Sequence, residues 1–168
     1  MQFLRVEIED FDEAYSCIEE SFPLCERRTY QEAKVILQSK EYTLFYIEEN
    51  GKRIGLLGVW LLNDFCFIEH FAIYPCFRNN GFGAKALTLA KSKWKTLVLE
   101  AEPDTTEIAK RRLEFYKRNG FLQNGFEYKQ PAYRDGEDDV ELVILSYPTM
   151  LNESKKVVKE IYKKVYGR

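Results

Sequence analysis

One α/β domain, in the mixed α+β sense, is the fold this sequence predicts: a central mixed sheet of six to seven strands flanked by helices, with an extra helix at the C-terminus. Three observations carry that reading. The chain has 168 residues, 45% apolar and 15% aromatic, enough to bury a core with no disulfide or metal as a staple. Period-2 and helix-period segments alternate along its length. Between two of the strand-like segments stands Asn50-Gly51, the dipeptide whose left-handed backbone suits a tight antiparallel hairpin.

Residues 3–8 alternate as a first strand, and Asp10 is placed to cap a helix that ends near Phe22-Pro23. A second helix spans 29–38. Residues 42–47 and 53–62, rich in β-formers, make the hairpin around Asn50-Gly51. Strand 65–74 stops at Pro75, and a loop leads into a helix over 81–94 with Leu87, Ala90 and Trp94 on one side. Strand 96–101 follows. Thr105 or Thr106 caps a helix reaching about Asn119, which Gly120 ends. Residues 121–129 and 140–147 close the sheet as an antiparallel pair. Residues 155–168 carry Val158, Ile161, Tyr162 and Val165 as a helical stripe that packs on its own domain or on a second copy in a homodimer.

Lys+Arg number 25 against 27 Asp+Glu, a net charge of -2 with pI near 5.7, which lacks the basic excess of a nucleic-acid binder. No apolar run reaches the length of a membrane span, and the first residues lack a secretory leader, so a cytoplasmic protein is expected. Cys17, Cys25, Cys66 and Cys76 include no C-x-x-C pair, and His70 is the one histidine. The thiols are read as reduced and mostly buried, and no metal site is expected.

Arg78-Asn79-Asn80-Gly81-Phe82-Gly83-Ala84 stands where a strand hands over to a helix. Free amides of the first helical turn and the positive end of the helix dipole converge there on one point, which favours an anion such as a diphosphate. Gly81-x-Gly83-x-x-Ala86, with Glu100 or Glu102 about 20 residues on, also satisfies a dinucleotide fingerprint. Against it, residues 75–80 separate the strand end from the first glycine, and a meander precedes.

Three stretches resemble the GNAT superfamily of N-acetyltransferases: Ile68-Glu69-His70-Phe71-Ala72-Ile73-Tyr74-Pro75, Arg78-x-x-Gly81-x-Gly83-Ala84, and Phe115-Tyr116-Lys117-Arg118-Asn119-Gly120-Phe121. The likeness spans residues 1–150 as the acetyltransferase domain and leaves 151–168 as an extension. It implies acetyl-CoA as cosubstrate, its diphosphate on amides of Asn79, Asn80, Gly81, Phe82, Gly83 and Ala84 beside Arg78, and its pantetheine arm along the backbone of Phe71, Ala72 and Ile73. The resemblance also makes Tyr116 the acid that protonates the departing thiolate. In place of an asparagine common in the family near the start of that helix, this chain has Glu107-Ile108-Ala109-Lys110.

An amine is mostly ammonium at neutral pH, so transfer needs a base. The family draws bases from the two strands that part, which nominates Glu69, then Glu100, then Glu102. Simple alternation puts Phe67, Glu69, Phe71 and Ile73 on one face and Ile68, His70, Ala72 and Tyr74 on the other, giving Glu69 apolar neighbours and His70 a satisfied, non-catalytic place. The expected reaction is direct acetyl transfer, through a tetrahedral intermediate, to a primary amine of a small molecule or a peptide. Tyr128, Gln130, Pro131, Tyr133 and the acidic run 135–141 are expected at the acceptor rim. A catalytically weak acyl-CoA-binding sensor and a nicotinamide-dependent oxidoreductase remain as alternatives.

Overall fold

The computed structural model describes residues 1–134 and 136–168. Asn50 and Gly51 both take positive φ, 51° and 73°, so the expected tight turn joins β2 (Tyr42–Glu49) to β3 (Lys52–Leu61) in antiparallel register. The sheet is completed by β1 (Gln2–Arg5), β4 (Cys66–Ile73), β5 (Leu97–Ala101), β6 (Leu122–Gln123), β7 (Tyr128–Gln130) and β8 (Val140–Tyr147). Its order is β1-β2-β3-β4-β5-β8-β6, with β7 also paired to β8. Among the described residues only β4 and β5 run parallel.

Eight strands replace the expected six to seven because the segment 121–129 is divided. Five residue steps separate Gln123 from Tyr128, but only three separate their partners Leu145 and Leu142. The slack is taken up between Asn124 and Tyr128: Asn124 N–H still bonds Ile144 O at 2.8 Å, and its buried side-chain amide donates to Ser146 Oγ at 2.9 Å and accepts from Leu151 N–H at 2.8 Å.

The helices are α1 (Phe11–Ser21), α2 (Tyr30–Ile36), α3 (Phe82–Lys93), α4 (Glu107–Arg118) and α5 (Ser154–Ile161), the last continued by a π-helical segment Tyr162–Tyr166. Thr29 and Glu32 form a capping box on α2, and Thr106 caps α4 by accepting from Ala109 N–H at 3.1 Å. Asp10 caps α1 without a side-chain bond, its carboxylate being paired with Arg53.

Period-2 alternation sends each strand's side chains into two cores. Tyr42, Leu44, Tyr46, Leu56, Trp60, Phe67, Val98 and Ile144 meet α1, α2, Ile161 and Val165 on one face. Leu57, Val59, Ile68, Leu97, Leu99 and Leu145 meet α3 and α4 on the other. The C-terminal extension therefore packs on its own domain. Among the thiols only Cys66 is buried; Cys17 is half-buried, and Cys25 and Cys76 are exposed on short 3-10 turns. All four are free.

Candidate active site

The site is built where two parallel strands part. β4 pairs β5 at Cys66↔Leu97, Phe67↔Val98 and Ile68↔Leu99, and there the ladder ends although both strands continue. On its other edge β4 pairs Ile68 with Val59 but His70 with Gly58, leaving Glu69 as the extra residue of a bulge. A bulge bends its strand and re-aims the following side chains. Past it, Phe71 and Ile73 face the α3/α4 core with Ile68, while His70 and Tyr74 join the face of Phe67 and Glu69. Simple alternation through residue 69 therefore fails, and Glu69 shares no face with Phe71 or Ile73.

The gap opens into a cavity of about 900 Å³ that touches both faces of the sheet. On the α3 side it is lined by Phe71, Ile73, Arg78, Asn79, Gly81, Phe82, Gly83, Ala84 and Tyr116, with Ala72 on the strand between them; through the gap it reaches Glu69, Glu100, Gln130 and Tyr133. Asn80 lies behind the turn and staples it, donating to Phe77 O and Arg78 O at 3.3 and 2.9 Å.

Gly81 caps α3 in the left-handed region at φ 73°, and the first helical bond runs from Lys85 N–H to Gly81 O. The amides of Phe82, Gly83 and Ala84 thus lack helical partners and are aimed outward. A Cβ on Gly83 would stand 3.1 Å from Phe115 Cζ, so any larger residue there must push the Phe115 ring back. Tyr74 N–H bonds Ile54 O at 2.9 Å, which by ladder alternation turns the polar groups of Phe71 and Ile73 toward the open edge and those of Ala72 toward β3. Arg78 Nε donates to Ile73 O at 2.8 Å. A diphosphate on the amides and an amide-bearing arm along the edge fit this cradle.

Tyr116 is buried between the rings of Phe115 and Phe121, 5.4 and 5.8 Å away between centroids. Burial pushes its phenol up to about 12. Along one face of α4, Ile108, Arg111, Arg112 and Phe115 line the cavity beside it. The stretch that replaces the family's asparagine thus presents an apolar side chain, Ile108. The arginines escaped the sequence reading, although their spacing of four or five from Tyr116 was a usable signal.

Across the gap the two carboxylates differ. Glu69, 1% exposed at its side chain, is ion-paired with Arg28 and accepts from Trp60 Nε1 and Tyr133 OH, both at 2.8 Å. The expected apolar surroundings of Glu69 are replaced by three donors. Arg28 in turn lies over the Tyr133 ring at 4.7 Å and the Trp60 ring at 5.7 Å. Glu100 stands half-buried at the cavity floor, bonded by the hydroxyls of Tyr128 and, at 2.7 Å, Tyr166. Burial pushes its carboxyl up to about 7 despite both hydroxyls, with Glu26 adding to the rise and Arg28 opposing it.

His70 is buried with no hydrogen-bond partner on either ring nitrogen and meets Phe22 edge-on. Burial and Arg28 push it down to about 3, against a weaker pull from the Glu26 backbone. It is a buried, neutral histidine, on the same side as Glu69 because of the bulge. Of the expected acceptor rim, Gln130 and Tyr133 line the cavity, while Tyr128 stands behind Glu100. Residue 135 lies outside the described residues. Of the described residues 136–141 none lines the cavity: Asp139 accepts from Ala132 N–H and Glu137 pairs with Arg134. Negative charge at the cavity comes instead from Glu20, Glu26, Glu69, Glu100 and Glu102, the last paired with Arg112 at 2.6 Å.

A mixed sheet split beside a helix start with free amides, and a tyrosine on the next helix, is the arrangement that the resemblance to acetyltransferases implied. The comparisons agree. A family model described as the acetyltransferase (GNAT) family matches residues 8–121, and the chain belongs to that family. It is by that membership an N-acetyltransferase, in a family that generally uses acetyl-CoA as cosubstrate. The Bacillus subtilis (strain 168) protein YjbC is 28% identical over 156 residues, 90% of this chain and 78% of its own. A solved GNAT-family structure from Bacteroides thetaiotaomicron matches at TM-score 0.94 and 27% identity, covering 100% of this chain and 99% of that one. The ribosomal-protein-S18-alanine N-acetyltransferase of Escherichia coli shares the fold at TM-score 0.66 and 17% identity, over 89% and 94% of the two chains.

Proposed function

We propose that this chain moves the acetyl group of acetyl-CoA directly to a primary amine carried by a small molecule or a peptide. The observation that carries the reading is a carboxyl and a phenol, those of Glu100 and Tyr116, lining one cavity at the parted strands. Acetyl-CoA supplies the activated thioester. The amides of Phe82, Gly83 and Ala84 hold its diphosphate with Arg78 and Asn79 beside them; Phe71 and Ile73 orient its arm.

Glu100 takes the proton that the ammonium must lose, ahead of Glu69, whose oxygens are engaged by Arg28, Trp60 and Tyr133. Tyr116 gives its proton to the departing thiolate, and its phenolate takes back the second proton that the nitrogen sheds as the tetrahedral intermediate collapses. No enzyme nucleophile takes part, and holding the two reactants in register supplies much of the acceleration. Carboxylates around the acceptor end favour a cationic acceptor. Four free thiols suit the reducing cytoplasm.

The test is calorimetry with acetyl-CoA followed by thiol release across polyamines, amino acids, aminoglycosides, lysine peptides and N-terminal peptides. Saturable binding with turnover on some amine is expected. Absent binding overturns the reading, and binding with no acceptor leaves an acyl-CoA sensor in its place.

A further inference from the structure

We propose that Tyr166, in the C-terminal extension, is a positioning residue of the acceptor site: its hydroxyl orients the Glu100 carboxylate and keeps it able to accept a proton. The inference rests on the reading of Glu100 as the base. The extension enters the site at three points. Tyr166 OH donates to Glu100 Oε2 at 2.7 Å, the Tyr166 ring packs on Tyr133 with centroids 5.3 Å apart, and Val165 O accepts from Arg28. Residues 66 and 137 positions distant in sequence are thereby tied to it.

Each carboxylate oxygen can accept two hydrogen bonds. Tyr128 occupies one position on Oε1 and Tyr166 one on Oε2, which fixes the carboxylate plane and leaves a lone pair on each oxygen for the cavity. In the transfer, the proton leaving the amine nitrogen goes to Glu100, while Tyr166 keeps its own proton and remains a donor. The charged and titratable groups facing Glu100 are Glu26 and Arg28 from the segment between α1 and α2, Tyr128 from β7, Tyr133 after it, and Tyr162 and Tyr166 from the extension. Glu26 pushes the carboxyl toward its neutral form; Arg28 and the two bonded hydroxyls oppose that.

The experiment is a carbon-13 NMR titration of glutamate carboxyls in the full chain, with Glu100→Gln assigning the signal; it needs no acceptor. In the unaltered protein the Glu100 midpoint lies near 7. Tyr166→Phe keeps the ring contact with Tyr133 and loses one bond to a charged acceptor, so the midpoint moves up by about one pH unit. Replacing Tyr166 with 3-fluorotyrosine, a stronger donor of nearly the same shape, moves it down, and serves if the phenylalanine variant does not fold. A midpoint unmoved in the folded variants overturns the proposal. With any amine that turns over, the acid limb of kcat/KM follows the same shift. Unimpaired turnover in Glu100→Gln instead overturns the base assignment, and that result is distinct from an unmoved Glu100 signal.

Discussion

Tyr116 owes its chemistry to its packing. Phe115 and Phe121 clamp the ring, Phe121 N–H bonds back to Tyr116 O at 3.1 Å, and a phenol pushed up to about 12 holds its proton at any pH the protein meets. Tyr116→Phe is expected to lower thiol release by about 100-fold or more, the usual weight of a positioned acid, with calorimetric affinity for acetyl-CoA unchanged. Full turnover in that variant would move the acid role elsewhere. The place of Tyr116 at the cavity was legible because Gly120 and Phe121 follow it at fixed spacing. The surroundings of Glu69 were not: Arg28 is 41 positions away and Tyr133 is 64, and no local pattern encodes contacts across such separations.

Elements with strong local punctuation matched the sequence closely: the hairpin at Asn50-Gly51, α3 after Pro75 and Gly81, and α4 between Thr106 and Gly120. Those that deviated carry weak signals. Strands of two and three residues, as in β6 and β7, are too short to show a period, and a bulge of one residue leaves composition untouched while reversing every face beyond it. At the site, the start of α3 lies close against Phe115 of α4. Gly83→Val places side-chain carbon against Phe115, an overpacking worth about 1–3 kcal/mol, and tilts the first-turn amides. Acetyl-CoA affinity by calorimetry is expected to fall at least about tenfold, more than the melting temperature alone implies. Gly125→Ala, where no atom lies within 4 Å, leaves both unchanged.

Across the whole molecule, two groups on the parted strands β4 and β5 pull stability in opposite directions with pH. Glu100 titrates near 7 folded against an ordinary 4.5, so between those values the folded chain binds the extra proton and stability falls as pH rises. His70 titrates near 3 folded against an ordinary 6.5; the unfolded chain binds the extra proton there, and stability falls as pH drops from 6.5 toward 3. From pH 4.5 to 6.5 the two slopes oppose each other and largely cancel. Below 4.5 only the histidine slope survives, and between 6.5 and 7 only that of the glutamate. Thermal melts across this range separate them. Relative to the unaltered protein, Glu100→Gln tilts the curve upward with pH between 4.5 and 6.5 and stabilises above 7. His70→Phe, which removes two unpartnered ring nitrogens, tilts it downward over the same window and blunts the acid loss below 4.5. Each tilt amounts to a few kcal/mol over the window at about 1.4 kcal/mol per pH unit. Parallel curves for all three proteins would mean that neither group changes its proton affinity on folding, and the poised state of Glu100 would fall with that result.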